Sequence, residues 1–346
     1  MLRLTRRETA LIIILIEMSV LFAGVSYIKA KDSFYQKLAD GFNVNILIVG
    51  DSIGKGAGAT IPKRQWTRLL SEEIQKTYNV QVKLNNISMG GNTSYAGYVR
   101  TKTLDDGIDY DLVVICYGQN DAEENFSLYY ESIIRCVKDK YPRAAIIPVL
   151  ESSQKTYTKK IREIQALAEH YGLPVADMIA PFSSDYDSFT DDKVHPNNKG
   201  HQIYCDTIMN TIKPLVENKR GDDPSDVAVV NEDVAVFDNF EFIESRQFIR
   251  NGNKFTLNTS LNCSVLGIYY NFIPGNNTCR IEIDGKAFAV PEISFDYDFS
   301  QCHIMVVNKW DAGETVNIKN NISVIFGNDR AGKEQADGFS GIAVSG

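Results

Sequence analysis

The sequence predicts an α/β domain built on a parallel sheet, followed by a β-sandwich. Three observations predict it. Short apolar runs alternate with helix-period segments between residues 45 and 215, the pattern of a parallel sheet covered on both faces. An acidic, turn-rich stretch follows residue 216. From about Val234 the apolar period becomes two, over six to nine short strands separated by turn signals. A length of 346 residues suits two domains. The composition, 44% hydrophobic and 23% charged, is that of globular proteins. A net charge of −8 leaves no basic stripe to neutralise phosphates, so no nucleic-acid partner is expected.

The expected organisation is a basic flank and membrane segment over 1–30, a catalytic domain over 31–217, an acidic linker over 218–233 and a β-sandwich over 234–346. At the N-terminus, Arg3, Arg6 and Arg7 precede an apolar run from Ala10 to Ile28. A basic flank before such a run is the signature of an anchor or secretion signal. Glu17 costs roughly 3 kcal/mol at mid-span, and each Leu, Ile, Val or Phe returns about 0.3 to 0.6. Eleven such residues lie between Leu11 and Ile28, so insertion wins by a small margin. Ile28 at the −3 position before Ala30 makes a poor cleavage site. An uncleaved single-pass anchor with the rest of the chain extracytoplasmic is the preferred reading; secretion after cleavage is the alternative.

"NILIV" (45–49), closed by Gly50, reads as a buried strand. "RQWTRLLSEEIQKTY" (64–78) is a helix with Trp66, Leu69, Leu70 and Ile74 on one face. "VKLNNIS" (82–88) and "DLVVICYG" (111–118) are the second and third strands. "SLYYESIIRCVKDKY" (127–141) is a helix stopped by Pro142. "AAIIPVL" (144–150) is the fourth strand, "KKIREIQALAEHYG" (159–172) a helix, "LPVADM" (173–178) the fifth strand, and 198–216 the last helix. In the C-terminal part, "CRIEIDGKAFAV" is a hairpin turning at Asp284-Gly285. "EISFDYDFS", "HIMVVNKW", "TVNIKNN", "ISVIFGN" and "GIAVSG" read as further strands. Cys116, Cys136 and Cys205 sit in apolar patterns and are expected as buried thiols. One bridge among Cys263, Cys279 and Cys302 is open. No Cys/His cluster has metal-ligand spacing, so neither metal nor cofactor is expected.

The strand ends carry the chemistry. "GDSIGKGAGA" follows the first strand, "NISMGGNTS" the second and "YGQND" the third; "DDKVHP" precedes the last helix. Ligands bind at such C-terminal strand ends. These blocks resemble the SGNH (GDSL-type) hydrolases, whose marker residues are Ser, Gly, Asn and His in that order. The resemblance covers residues 43–216 and aligns Ser52 with the nucleophile, Gly91 with the oxyanion glycine, Asn120 with the GxND asparagine and His195 with the DxxHP histidine. It implies a flavodoxin-like three-layer α/β/α domain with a five-stranded parallel sheet. The run Gly54-Lys55-Gly56-Ala57-Gly58 is richer in glycine than the family pattern, which bears on the shape of the substrate entrance.

Elementary chemistry assigns the same roles. A serine hydroxyl needs an adjacent base, and among four histidines His195 alone lies in a loop at the strand ends. An imidazole base needs a carboxylate to hold its tautomer, and Asp192, three residues earlier, can fold back to it. The Ser52 and Gly91 N–H groups with the Asn120 amide would form the oxyanion hole. Each block has a bland reading alone: Asp51 and Ser52 as helix caps, Gly91 as a turn residue, Asn120 and Asp121 as a cap, His195 as a loop residue. Their joint order favours catalysis. Asp191 reads as a solvated neighbour and His201 as a packing or capping residue; His170 and His303 have no partner in sequence. "GDSIG" also fits the G-x-S-x-G elbow, but there the serine follows several strands, and here it follows the first. "GKGAGAT" fits no phosphate-binding loop.

The resemblance implies a serine esterase working through an acyl-enzyme on Ser52, and, for an extracytoplasmic member, removal of O-acyl groups, acetyl first, from a carbohydrate. Alternatives are a lipase or thioesterase, an acyltransferase using the same acyl-enzyme, and an inactive glycan-binding protein or acyl-carrier-type partner. Acetate release only from glycans favours the carbohydrate deacylase, preference for long acyl chains the lipase, and absence of turnover the binding protein. The β-sandwich is read equally as a sugar-binding or a packing domain.

Overall fold

A computed structural model describes residues 32–221, 227–272, 278–288, 301–308 and 316–346. The N-terminal apolar run lies outside them. Among the described residues no helix is long and apolar enough to cross a membrane.

The first domain opens with α1 (Phe34–Ala39), β1 (Val44–Gly50), α2 (Ser52–Lys55), α3 (Trp66–Tyr78) and β2 (Val82–Asn86). It continues through α4 (Ser94–Thr103), β3 (Leu112–Cys116), α5 (Phe126–Lys140), β4 (Ala145–Leu150) and α6 (Lys159–His170). It closes with β5 (Ala176–Asp177), α7 (Ile179–Phe182), α8 (Tyr186–Phe189) and α9 (Asn198–Glu217). The five strands form one sheet in the order β2-β1-β3-β4-β5, all parallel. The strand order therefore reverses between β1 and β3, and the strand ends there open a crevice.

The sheet separates two cores. Ile46 and Ile48 of β1 face Trp66, Leu70, Tyr204 and Ile208 of α3 and α9. Leu47 and Val49 face Tyr95, Ile133 and Ile164 of α4, α5 and α6. Every residue of β3 and β4 is buried, which is why these strands read as unbroken apolar runs. The fifth strand is shorter than expected, two residues of ladder instead of six. Helix α4 has no counterpart in the sequence reading. It is buried on almost every side, so its sequence shows no polar stripe.

The C-terminal half holds β6 (Phe240–Glu244), β7 (Ile249–Asn251), β8 (Lys254–Asn258), β9 (Leu261–Cys263), β10 (Val265–Phe272), β11 (Arg280–Ile283) and β12 (Lys286–Phe288). After these come β13 (Gln301–Asn308), β14 (Val316–Ile318), β15 (Asn321–Ile325), α10 (Arg330–Asp337) and β16 (Gly341–Ser345). Two antiparallel sheets, β13-β10-β16-β6 and β12-β11-β15-β8-β7, accompany a β14-β9 ribbon. Leu266, Ile268 and Tyr270 of one sheet share a core with Ile281, Ile322 and Val324 of the other. Asp284 and Gly285 both have positive φ, at 51° and 78°, as a two-residue hairpin turn requires. The strand expected at "EISFDYDFS" lies outside the described residues. Helix α10 was not expected; its polar sequence is started by Asp329, whose carboxylate accepts from the Gly332 N–H. Cys116, Cys136, Cys205 and Cys263 are buried thiols.

Residues 227–238 straddle the expected boundary between the linker (218–233) and the β-sandwich (234–346), and they fold against the first domain. Residues 232–238 form a 3₁₀ turn whose Val234 and Phe237 are buried in the catalytic core. The Glu131 carboxylate of α5 accepts from the Val230 and Asn231 N–H groups at 2.7 and 2.8 Å. The polar composition of 218–233 gives no sign that its backbone is held by Glu131. Tyr98 packs against Phe237 and Phe240 with ring centroids 5.0 and 5.5 Å apart.

Candidate active site

β1 ends at Gly50, and the chain turns at once into α2. Asp51 caps this helix, accepting from the Ile53 N–H at 2.8 Å. The cap places Ser52 at the first helical position, directly above the sheet edge. From the other side comes the 190–197 loop, closed by a bridge between Thr190 and Pro196. The Asp192 carboxylate accepts from the backbone N–H groups of Val194 (3.0 Å) and His195 (2.7 Å), an Asx-type turn that holds Lys193 at a φ of 65°. Its other oxygen lies 2.5 Å from His195 Nδ1. His195 Nε2 lies 2.8 Å from Ser52 Oγ. Three of the five singled-out residues thus form one relay.

Asp192 is half in solvent, with its side chain 55% exposed. Partial burial pushes its carboxyl up, but hydrogen bonds from the His195 ring and from two backbone N–H groups outweigh this and hold it below the usual range. It stays ionised and fixes the Nδ1–H tautomer of His195, leaving Nε2 to take the serine proton. Asp191 points elsewhere and accepts from Asn197 Nδ2 at 2.9 Å.

The other two residues come from adjacent loops. The Met89 N–H donates to the Gly50 carbonyl at 2.9 Å, and the Asn92 N–H donates back to Met89 O. Gly91 sits in this turn with a φ of 70°, a conformation glycine adopts without strain. Asn120 Nδ2 donates to Asn92 O at 3.1 Å and to Asp51 Oδ2 at 3.2 Å. Asn120 is thereby tied to Asn92, the residue after Gly91, and to the serine's own cap.

His201 neither touches the serine nor lies idle. The Trp66 N–H donates to its Nδ1 at 3.3 Å, and its Nε2 donates to Ala57 O at 3.1 Å. Burial lowers its pKa to about 4, so it is neutral with its proton on Nε2. It pins the glycine-rich run against the His195 loop. His170 bonds Ala228 O. His303 lies in β13.

Sequence reasoning missed a set of buried charges beneath the site. Glu151, at the end of β4, is fully buried and accepts from the Gln119 N–H at 2.8 Å. Lys160 of α6 donates to the carbonyls of Gly118 and Asp121. The Asp121 carboxylate accepts from the Ser94 N–H and hydroxyl at the start of α4; burial raises it to about 6. The signal available was a lone glutamate closing an apolar strand at the same edge.

Residues 48–203 match the model of the GDSL-like lipase/acylhydrolase family. This part of the chain belongs to that family. The GDSL domain makes the protein a carboxylic ester hydrolase. Both halves together are similar to the crystal structure of a two-domain esterase (CEX) active on acetylated mannans. The match has 19% identity over 89% of this chain and 93% of that one, with a TM-score of 0.70. The CEX structure co-crystallized with mannopentaose matches at 19% identity over 91% and 95%, with a TM-score of 0.71. At this identity the likeness establishes the shared fold. No curated protein matches the chain.

Proposed function

We propose that the protein is an extracytoplasmic esterase that removes acetyl groups from a polysaccharide through an acyl-enzyme on Ser52. The observation that carries the serine mechanism is the 2.8 Å contact between His195 Nε2 and Ser52 Oγ, backed by Asp192 at 2.5 Å. His195 takes the hydroxyl proton as Ser52 attacks the ester carbonyl. The developing oxyanion is met by the Ser52 and Gly91 N–H groups and by the Asn120 amide, one of whose two N–H groups turns to it from Asn92 O. His195 then gives the proton to the departing sugar hydroxyl. Water, activated by the same imidazole, cleaves the acyl-enzyme and releases acetate.

The carbohydrate part of the reading is supported by the likeness to CEX over both domains, since CEX acts on acetylated mannans. The second domain is then an accessory module beside the site, a β-sandwich that contacts the same polymer. The extracytoplasmic location is supported by Arg3, Arg6 and Arg7 before the apolar run 10–28. The test uses residues 31–346 on acetylated polysaccharides and on 4-nitrophenyl esters of increasing chain length. Ser52-dependent acetate release from the polysaccharide supports the reading. Preference for long acyl chains would replace it with a lipase.

A further inference from the structure

Glu151 sits directly under the Gly118–Asp121 loop, its Oε1 accepting from the Cys116 thiol at 3.3 Å and its Oε2 from the Gln119 N–H at 2.8 Å, with its carboxyl beside that of Asp51. Both side chains are fully buried. Asp51 Oδ2 accepts from Asn120 Nδ2 at 3.2 Å. The two carboxyls thus grip consecutive residues of one loop, and Lys160 Nζ holds the carbonyls on either side of it. We propose that Glu151 is a positioning residue for the oxyanion site, which by holding the Gly118–Asp121 loop against Asp51 fixes the Asn120 amide beside Ser52. This rests on the serine esterase reading of the site.

Two buried carboxylates side by side cannot both be charged. With one proton between them they attract, and Asp51 keeps an oxygen for Asn120. Without it they repel, and Asp51 is pushed off the asparagine and off the cap of Ser52. Burial raises both groups above the usual carboxylate range. The titratable side chains facing the pair are Cys116, Tyr117, Asp121, Tyr130, Lys160 and Tyr204. Burial pushes the thiol and the phenols up, so near neutrality only Asp121 and Lys160 add charge.

The test compares wild type with Glu151→Ala and Glu151→Gln, using 4-nitrophenyl acetate turnover against pH and infrared spectra at neutral pH. Glutamine can accept from Gln119 and donate to Asp51 with no proton to lose. Glu151→Ala is expected to lower kcat about 10- to 100-fold, less than the roughly 10²- to 10³-fold of a deleted oxyanion donor because Asn120 is shifted and not lost, with KM within about threefold. Glu151→Gln restores most of this, to about threefold below wild type, and removes the fall in kcat that accompanies loss of the shared proton at rising pH. The wild type shows a protonated carboxylic acid band at neutral pH that the Gln variant lacks. An absent band, or a Gln variant with the wild-type alkaline limb, overturns the inference, as does a kcat for Glu151→Ala within twofold of wild type. If the Ala variant does not fold, the Gln variant decides by band and pH profile. Wild type without Ser52-dependent turnover would overturn the esterase reading and the positioning role with it, and the band, read without turnover, tells that failure apart.

Discussion

A β-carbon on Gly58 would stand 2.3 Å from the carbonyl oxygen of Pro196 and 3.0 Å from His195 Cβ. The glycine-rich run after the nucleophile is therefore the wall against which the histidine loop closes. Gly58 also has a φ of 89°. Gly58→Ala is expected to displace His195 and lower kcat at least tenfold, with the fold retained. Gly41→Ala is the control: φ is 74° there too, with nothing within 4 Å of the added carbon. It should lose about 1–2 kcal/mol of stability and no activity. Steady-state kinetics and thermal melts of both variants decide the point.

Asp192→Asn should lower kcat roughly 10- to 10³-fold, less than the ~10⁴-fold known for the same change in an unrelated protease. The shorter loss is expected because Asp192 and His195 share one hydrogen-bonded turn. Asp191→Asn should change kcat by less than about threefold, since Asp191 serves Asn197 on the surface. Turnover at saturating substrate separates them, and a crippled Asp191 variant would reverse the assignment.

His201 gives the stability a pH dependence of known sign. Its folded pKa of about 4 lies below the 6.5 of the free side chain, so the unfolded chain binds the proton more readily. The contribution is complete above pH 6.5 and is lost as pH falls toward 4. At most it amounts to roughly 3 kcal/mol. His201→Gln, which cannot titrate, should show a shallower fall in Tm across this window. Parallel Tm curves for the two proteins would contradict the neutral assignment.

Glu131 accepts from two backbone N–H groups, from Asn231 Nδ2 and from the Tyr171 hydroxyl. Glu131→Ala leaves the buried Tyr171 hydroxyl and three part-buried N–H donors without their acceptor. A loss of about 3 kcal/mol or more is expected, lowering Tm by roughly 5–10 °C. Limited proteolysis should then cut at residues 227–231 faster than in wild type. Unchanged cleavage would mean that the segment is held by Val234 and Phe237 alone.

The parallel strands were legible because β1, β3 and β4 are buried on both faces and their sequences are correspondingly unbroken. The site was legible where chemistry is local: Asp192 and His195 lie three residues apart, and Ser52 follows a strand directly. Helix α4 was not, since Gly97 interrupts it and its two sides are covered, by Tyr117 at one point and by Phe237 and Phe240 at another. Glu151 and Lys160 were illegible for a different reason. Their partners lie more than thirty residues away, and apart from the glutamate's place at the end of an apolar strand nothing in the local spacing marks a charge that the fold will bury.

Arg100 lies within α4, remote in sequence from every catalytic side chain. Its guanidinium donates to Ile87 O at 2.8 Å and to the Tyr269 hydroxyl at 3.0 Å. Ile87 heads the turn that carries Gly91, and Tyr269 belongs to β10. One side chain is thus a strut between the second domain and the oxyanion turn. Tension applied to the accessory sheet by a bound, semi-rigid polymer would be borne four residues from Gly91, the glycine that the proposed mechanism sets at the reacting carbonyl.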